Sequence, residues 1–228
     1  MTQLRSAATA LLLAASPVAP ALAQAGRTID EGTFTVARKG AATQTESFKI
    51  ARVDNDLIQA TGQLIVGDER ISSSLMTDSL GTPLTYGFLV KSHGATTLDV
   101  HALAGGRRLS LKLSDNRSNE SMRDFPIAVG RTLILDDWLL HQLYFVTLAK
   151  RAGAIQMIQP RLAKQESCVL TARGLEPVDV GGRSVTATHY SLVNGATVRE
   201  FWVDAAGRVL RVEIAAQGLI ATRDEAPR

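Results

Sequence analysis

His141 follows Asp137 by four residues, and Asp136 stands beside Asp137 at the start of the same stretch. On a helix that spacing brings a carboxylate and an imidazole to one face. A carboxylate that orients an imidazole is the core of many acid–base sites, so an envelope hydrolase using Asp137 and His141 is one reading of the chain. The plainer reading is that Asp137 charges the helix start and His141 satisfies a neighbour at the edge of the core. It outweighs the first, because apolar neighbours alone do not make a site. No catalytic residue is assigned.

Other chemistry finds little support. The chain has no Gly-x-Ser-x-Gly turn to expose a serine nucleophile and no His-Glu-x-x-His pair for zinc. The four histidines (His93, His101, His141 and His189) are scattered, and Cys168 is the single cysteine. A metal site would have to be assembled in space from His101, His189 and a carboxylate, and none is assigned. Phosphate loops and dinucleotide fingerprints are absent, so no cofactor is expected. A glycosidase-type carboxylate pair is defined by separation in space and leaves no linear trace.

The stretch LDDWLLHQLYFVTLAKRAG, residues 135–153, is what holds Asp137 and His141. Asp136 suits a helix N-cap, Asp137 suits the first turn, and Lys150 and Arg151 suit the last. Gly153 is placed to end the helix in a left-handed conformation. The expectation is one helix over 136–152. Trp138, Leu139, Leu140, Leu143, Tyr144, Phe145, Val146 and Leu148 cover its whole circumference, with His141 and Gln142 the polar residues of its middle. A helix lying on a sheet with its back to water shows a polar face. This one must be enclosed on most sides.

The rest of the mature chain reads as strands and tight turns. Leu109, Leu111 and Leu113 alternate with polar residues, as do Leu210, Val212 and Ile214, so each set is expected to face the core. Asp54-Asn55, Gly67-Asp68, Gly105-Gly106, Gly181-Gly182, Asn194-Gly195 and Asp204 to Gly207 separate such runs and suit hairpins. Strands are expected near 33–38, 46–53, 57–66, 69–78, 83–91, 96–104, 107–114, 166–173, 184–193, 197–204 and 208–214. Consecutive hairpins make one sheet, whose apolar face has to be covered. The fold class is therefore mainly β (α+β): a large curved antiparallel sheet or half-barrel wrapped around one central apolar helix. Trp202 is placed at the rim of the core, and Cys168 is expected to be a buried, inert thiol.

The chain opens with Arg5, a short apolar run from Ala7 to Ala15 and small residues to Ala25. That order is a secretory signal peptide over 1–25, leaving one domain over 26–228. The run is too short to span a bilayer, and no cysteine follows it for a lipid anchor. A periplasmic or secreted protein that does not span a membrane is expected. The formal charge of +3 falls to +2 with Arg5 gone, and the basic residues are dispersed. A nucleic-acid surface needs a basic stripe with stacking rings, and none is seen.

The order Gly182, Val185, Ala187, His189-Tyr190, then Arg199, Trp202-Val203-Asp204, Gly207-Arg208-Val209-Leu210-Arg211-Val212, and finally Ala221 and Arg223-Asp224 resembles secreted bacterial domains of unknown function. Gly32 to Val36, Ser47 to Ile50 and Leu135 to Asp137 extend the likeness over nearly the whole mature chain. More distantly the pattern is similar to periplasmic lipoprotein carriers and receptors, whose half-barrel wraps helices around an apolar cavity. The resemblance implies a fold and brings no catalytic residues. The reading it favours is a binding or carrier module for an apolar, lipid-like envelope ligand. Trp138, Leu139, His141, Leu143, Tyr144, Phe145 and Trp202 are the candidate ligand-binding residues. An envelope scaffold that offers a strand edge to a protein partner is the remaining alternative.

Overall fold

The computed structural model describes residues 26–53, 56–148 and 153–227. The expected signal peptide, the expected turn at Asp54-Asn55 and the end of the expected helix, 149–152, lie outside them. Among the described residues, fifteen strands form one sheet. The first eight are β1 (Arg27–Arg38), β2 (Gln44–Val53), β3 (Leu57–Val66), β4 (Glu69–Thr77), β5 (Pro83–Ser92), β6 (Ala95–Gly105), β7 (Arg108–Asp115) and β8 (Glu120–Pro126). After β9 (Thr132–Ile134) come β10 (Gly153–Gln159), β11 (Lys164–Val180), β12 (Arg183–Asn194), β13 (Thr197–Val203), β14 (Val209–Ile214) and β15 (Leu219–Arg223).

The order across the sheet is β8-β7-β6-β5-β4-β3-β2-β1-β15-β14-β13-β12-β11-β10-β9. Each run of hairpins places sequence neighbours side by side, and β1 pairs with β15 to join the two runs antiparallel, Val36 opposite Ala221. The two edge strands, β8 and β9, are consecutive in the chain. Laid flat, fifteen strands would put those edges roughly 67 Å apart. The linker from Pro126 to Thr132 spans at most about 21 Å. The sheet therefore curls until its edges nearly meet, into an open barrel. Gln165 on β11 spans the gap, donating from Nε2 to the Pro126 carbonyl at 2.8 Å.

One pair departs from the antiparallel pattern. β9 and β10 run parallel, with Leu133 opposite Met157. Parallel neighbours need a crossover that leaves the sheet and returns to it. That crossover is the apolar stretch singled out above, and it passes through the inside of the curl. Its regular part is shorter than 136–152: a 3-10 turn over Leu140–Leu143 leads into helix α1 (Tyr144–Leu148). Asp136 still caps, its Oδ1 accepting the Trp138 N–H at 3.1 Å, but it caps a turn and not a helix.

The core forms where this segment meets the sheet. Leu139, Leu140, Leu143, Tyr144, Phe145 and Val146 pack with Phe34, Phe48, Ile50, Leu64, Leu75, Phe88, Leu109, Leu111, Phe201 and Val212. Leu210 was expected among them and lies elsewhere. β13 and β14 pair Trp202 with Arg211 and Val203 with Val209, so Leu210 is an extra, bulged residue. The bulge sends its side chain to the outer face, into a second cluster with Val178, Val180, Ala187 and Trp202.

That outer cluster is built by the β11–β12 hairpin. A register shift between Ala172 and Gly174 bends the strand. The hairpin tip then reaches the C-terminal segment: a Cβ on Gly181 would be 2.7 Å from the Asp224 carbonyl oxygen. Gly181 and Gly182 both have positive φ, which a two-residue turn of this kind needs.

Candidate functional site inside the curled sheet

The inner face of β2 carries Glu46, Phe48 and Ile50 at alternate positions. Glu46 is a carboxylate within an apolar register, and the inserted segment is what it serves. Its Oε2 accepts the Leu140 N–H at 2.8 Å, and its Oε1 accepts the His141 N–H at 3.2 Å and His141 Nδ1–H at 2.5 Å. The two side chains are fully buried. One carboxylate thus answers both the open amides of the 3-10 turn and the ring beside them.

The imidazole sits in a slot. Phe48 lies parallel to it, with centroids 5.8 Å apart. Across β3, Gly62 supplies no side chain, and a Cβ there would stand 2.3 Å from His141 Cε1. With Nδ1 committed to Glu46, Nε2 accepts in the neutral ring and donates in the imidazolium, and it has no hydrogen-bond partner among the described residues. A carboxylate-oriented imidazole with a free Nε2 is equipped to take a proton from a hydroxyl. Burial keeps that capacity from solvent.

Asp137 faces another way. Arg199 clamps it from β13, Nε to Oδ1 at 2.6 Å and Nη2 to Oδ2 at 2.9 Å, and Gln217 donates to Oδ2 at 2.6 Å. Its backbone carbonyl accepts from Arg38 at 2.8 Å. Asp137 and His141 are therefore not a pair; the partner of His141 is Glu46. Asp136 is held by Arg161, Nε to Oδ2 at 2.9 Å and Nη2 to Oδ1 at 3.0 Å. The Arg161 guanidinium also lies 4.1 Å over the Trp138 ring. Four anchors, Glu46, Arg38, Arg161 and Arg199, thus hold the front of the segment to the wall.

Of the seven candidate ligand-binding residues, six are brought together. Leu139, His141, Leu143, Tyr144 and Phe145 are buried inside the curl, and Trp138 is half-buried beneath Arg161. Burial raises the Tyr144 phenol above its ordinary pKa. Trp202 is not with them. It points to the outer face, stacked on His189 with centroids 4.4 Å apart, and donates from Nε1 to Glu176 Oε2 at 2.9 Å. His189 lies between two carboxylates, Nδ1 to Glu176 at 2.8 Å and Nε2 to Glu200 at 2.7 Å. Hydrogen bonds from Trp202 and then His189 hold the Glu176 carboxyl below its usual range. His101 is on β6 with Asp99, 2.9 Å away, far from His189 in the strand order.

Three hollows lie among the described residues of the barrel. One, about 510 Å³, is lined by Asp30, Glu31, Arg208, Arg223 and Glu225 among others. Asp30 and Arg223 form a buried two-pronged pair there, at 2.9 and 2.7 Å. Burial raises the Asp30 carboxyl above its ordinary pKa despite the guanidinium. A second hollow of about 480 Å³ lies at Gly87, His101, Leu103 and Met122. A third, about 460 Å³, reaches Asp137 and Arg199 at the mouth of the curl.

Glu46, Arg199 and Arg223 were not among the candidates, yet a signal for them exists. Each occupies an inward position of a strand whose other inward residues are apolar: Glu46 with Phe48 and Ile50, Arg199 with Phe201 and Val203, Arg223 with Leu219 and Ala221. A charge in an apolar register needs a buried partner. Which partner it finds depends on the curl.

No family model matches the chain, and no curated protein matches it. Solved structures do. A β-barrel-like protein of the domain of unknown function DUF1849 from Brucella abortus aligns with a TM-score of 0.55 at 7% identity, over 86% of this chain and 95% of that one. A DUF1089 family protein from Pseudomonas aeruginosa aligns at 0.39 and 16% identity, over 89% and 95%. The hypothetical lipoprotein YmcC of Escherichia coli aligns at 0.32 and 14% identity, over 84% and 85%. The first shares the barrel-like fold. At 7% identity, fold is what that likeness carries.

Proposed function

We propose that the chain is a non-catalytic binding or carrier module of the cell envelope, exported by its first 25 residues, with an apolar, lipid-like ligand. The observation that carries this reading is the inserted segment itself. It is an apolar plug inside an open barrel, tied to the wall through a few polar anchors at its front. Leu139, Leu143, Tyr144 and Phe145 occupy the volume an acyl chain would take. A ligand enters by displacing that plug, with Trp138 moving out from under Arg161.

Native mass spectrometry of protein purified from the periplasm, with fatty acids and phospholipids titrated into a Trp202→Phe variant, tests this. The reading expects a co-purified or added lipid and a shift in Trp138 emission. Absence of both overturns it.

A further inference from the structure

Four buried side-chain atoms have no hydrogen-bond partner among the described residues: Ser73 Oγ, Tyr86 Oη, His141 Nε2 and Gln142 Nε2. They are not dispersed. Ser73 lies on the inner face of β4 between Ile71 and Leu75, directly opposite Gly62. The position a Gly62 Cβ would take is 3.2 Å from His141 Nε2. Cross-strand Cβ positions in such a pair are about 5 Å apart, so Ser73 and the free ring nitrogen are neighbours. Tyr86 is opposite Leu75 on β5, one strand further. Its phenol is close enough to the Gln142 side chain for that group to favour its ionised form, yet the two make no bond of full hydrogen-bond geometry. Gln142 commits Oε1 to the Asp136 N–H at 2.8 Å, which leaves the two N–H donors of Nε2. Tyr86 is thus diagonal to Ser73, one strand over and two residues along, so the four side chains fall into two adjoining pairs: Ser73 with His141 beside the β3–β4 pairing, and Tyr86 with Gln142 beside β5.

Their chemistry narrows the occupant. The group offers His141 Nε2, an acceptor or a donor according to the ring's charge, two hydroxyls that donate or accept, and a donor amide. Neighbouring carboxylates are already engaged, Glu46 by His141 and Asp136 by Arg161. A cation would find no free anionic ligand among these side chains. A molecule that both donates and accepts satisfies every member, and buried polar groups in folded proteins find such partners. We propose that Ser73, Tyr86, His141 and Gln142 line an internal site filled by ordered water, which bridges the inserted segment to β4 and β5. This does not depend on the carrier reading and survives its failure.

The test is a crystal structure of the mature protein at a resolution that orders solvent, paired with water-oxygen magnetic relaxation dispersion on wild type, Tyr86→Phe and Ser73→Ala. The expected result is water density within hydrogen-bond distance of at least two of the four atoms. At least one long-residence water should also be lost in a variant. The proposal is overturned if the side chains pair directly, if density belongs to a different molecule, or if the long-lived water count is the same in all three proteins. Tyr86→Phe removes one oxygen and keeps the ring, so it separates hydration from packing.

Discussion

Gly62 and His141 are in contact across the interior: the ring occupies the space in which any side chain at position 62 would begin. Glu46 and Phe48 hold the ring from the other sides, so it has nowhere to retreat. Gly62→Ala is expected to destabilise the fold by about 1–3 kcal/mol, the usual cost of overpacking a filled core. Gly87→Ala, whose added Cβ meets nothing within 4 Å, is the control. Urea unfolding of the two variants should differ by that amount, and equal midpoints would mean the ring is free to move.

Glu46 answers three donors from inside the core. Removing it leaves two backbone amides and the imidazole without their acceptor. Glu46→Ala should cost about 3 kcal/mol or more, since each buried donor left unsatisfied costs about 1–3 kcal/mol. Denaturant titration measures it. A loss below about 1 kcal/mol, the ordinary size for an exposed pair, would show the pair to be dispensable.

Much of the architecture was legible before the structure, because it rests on local pattern. The alternation of Leu109, Leu111 and Leu113 holds within β7, the glycine turns hold where they are described, and the stretch after Leu135 is enclosed as its all-round apolar surface requires. Four strands were missed for physical reasons. β8 buries only Phe125 and so shows no apolar period, β9 has three residues, β10 begins at the glycine read as a helix end, and β15 read as a final extended piece. Leu210 and Trp202 were misplaced because a bulge and a folded-over hairpin reverse which face is covered. The Glu46–His141 pair joins residues 95 positions apart. The sheet's curl brings them together, and no spacing rule reports that.

Acid should loosen the outer hairpin before the core. Glu176 has a folded-state pKa below its unfolded value, because Trp202 and then His189 hydrogen-bond its ionised form. Its contribution is therefore present above the unfolded pKa and lost as pH falls through the folded one, below the ordinary glutamate range. In a Trp138→Phe background, Trp202 emission should change over that acid window. Glu176→Gln should abolish the change. A Trp202 signal that titrates identically in both proteins would contradict the assignment.

Cys168 should be silent in the folded protein. It is fully buried on β11, and burial raises its thiol pKa to about 11. A thiol reagent at pH near 8 should react with it in denaturant and leave it untouched in native buffer, since the thiolate is the reactive form. Rapid native modification would mean that β10 and β11 open readily.

Residues 139–148 fill the curled sheet as an apolar plug, which the proposed lipid-like ligand would displace. Amide hydrogen exchange over that segment, with and without a saturating fatty acid or lysophospholipid, tests it most directly. The prediction is slow exchange in the free protein and faster exchange in the same peptides once ligand is bound, with the strands unchanged. Fast exchange in the free protein, or protection that persists with lipid bound, would contradict it.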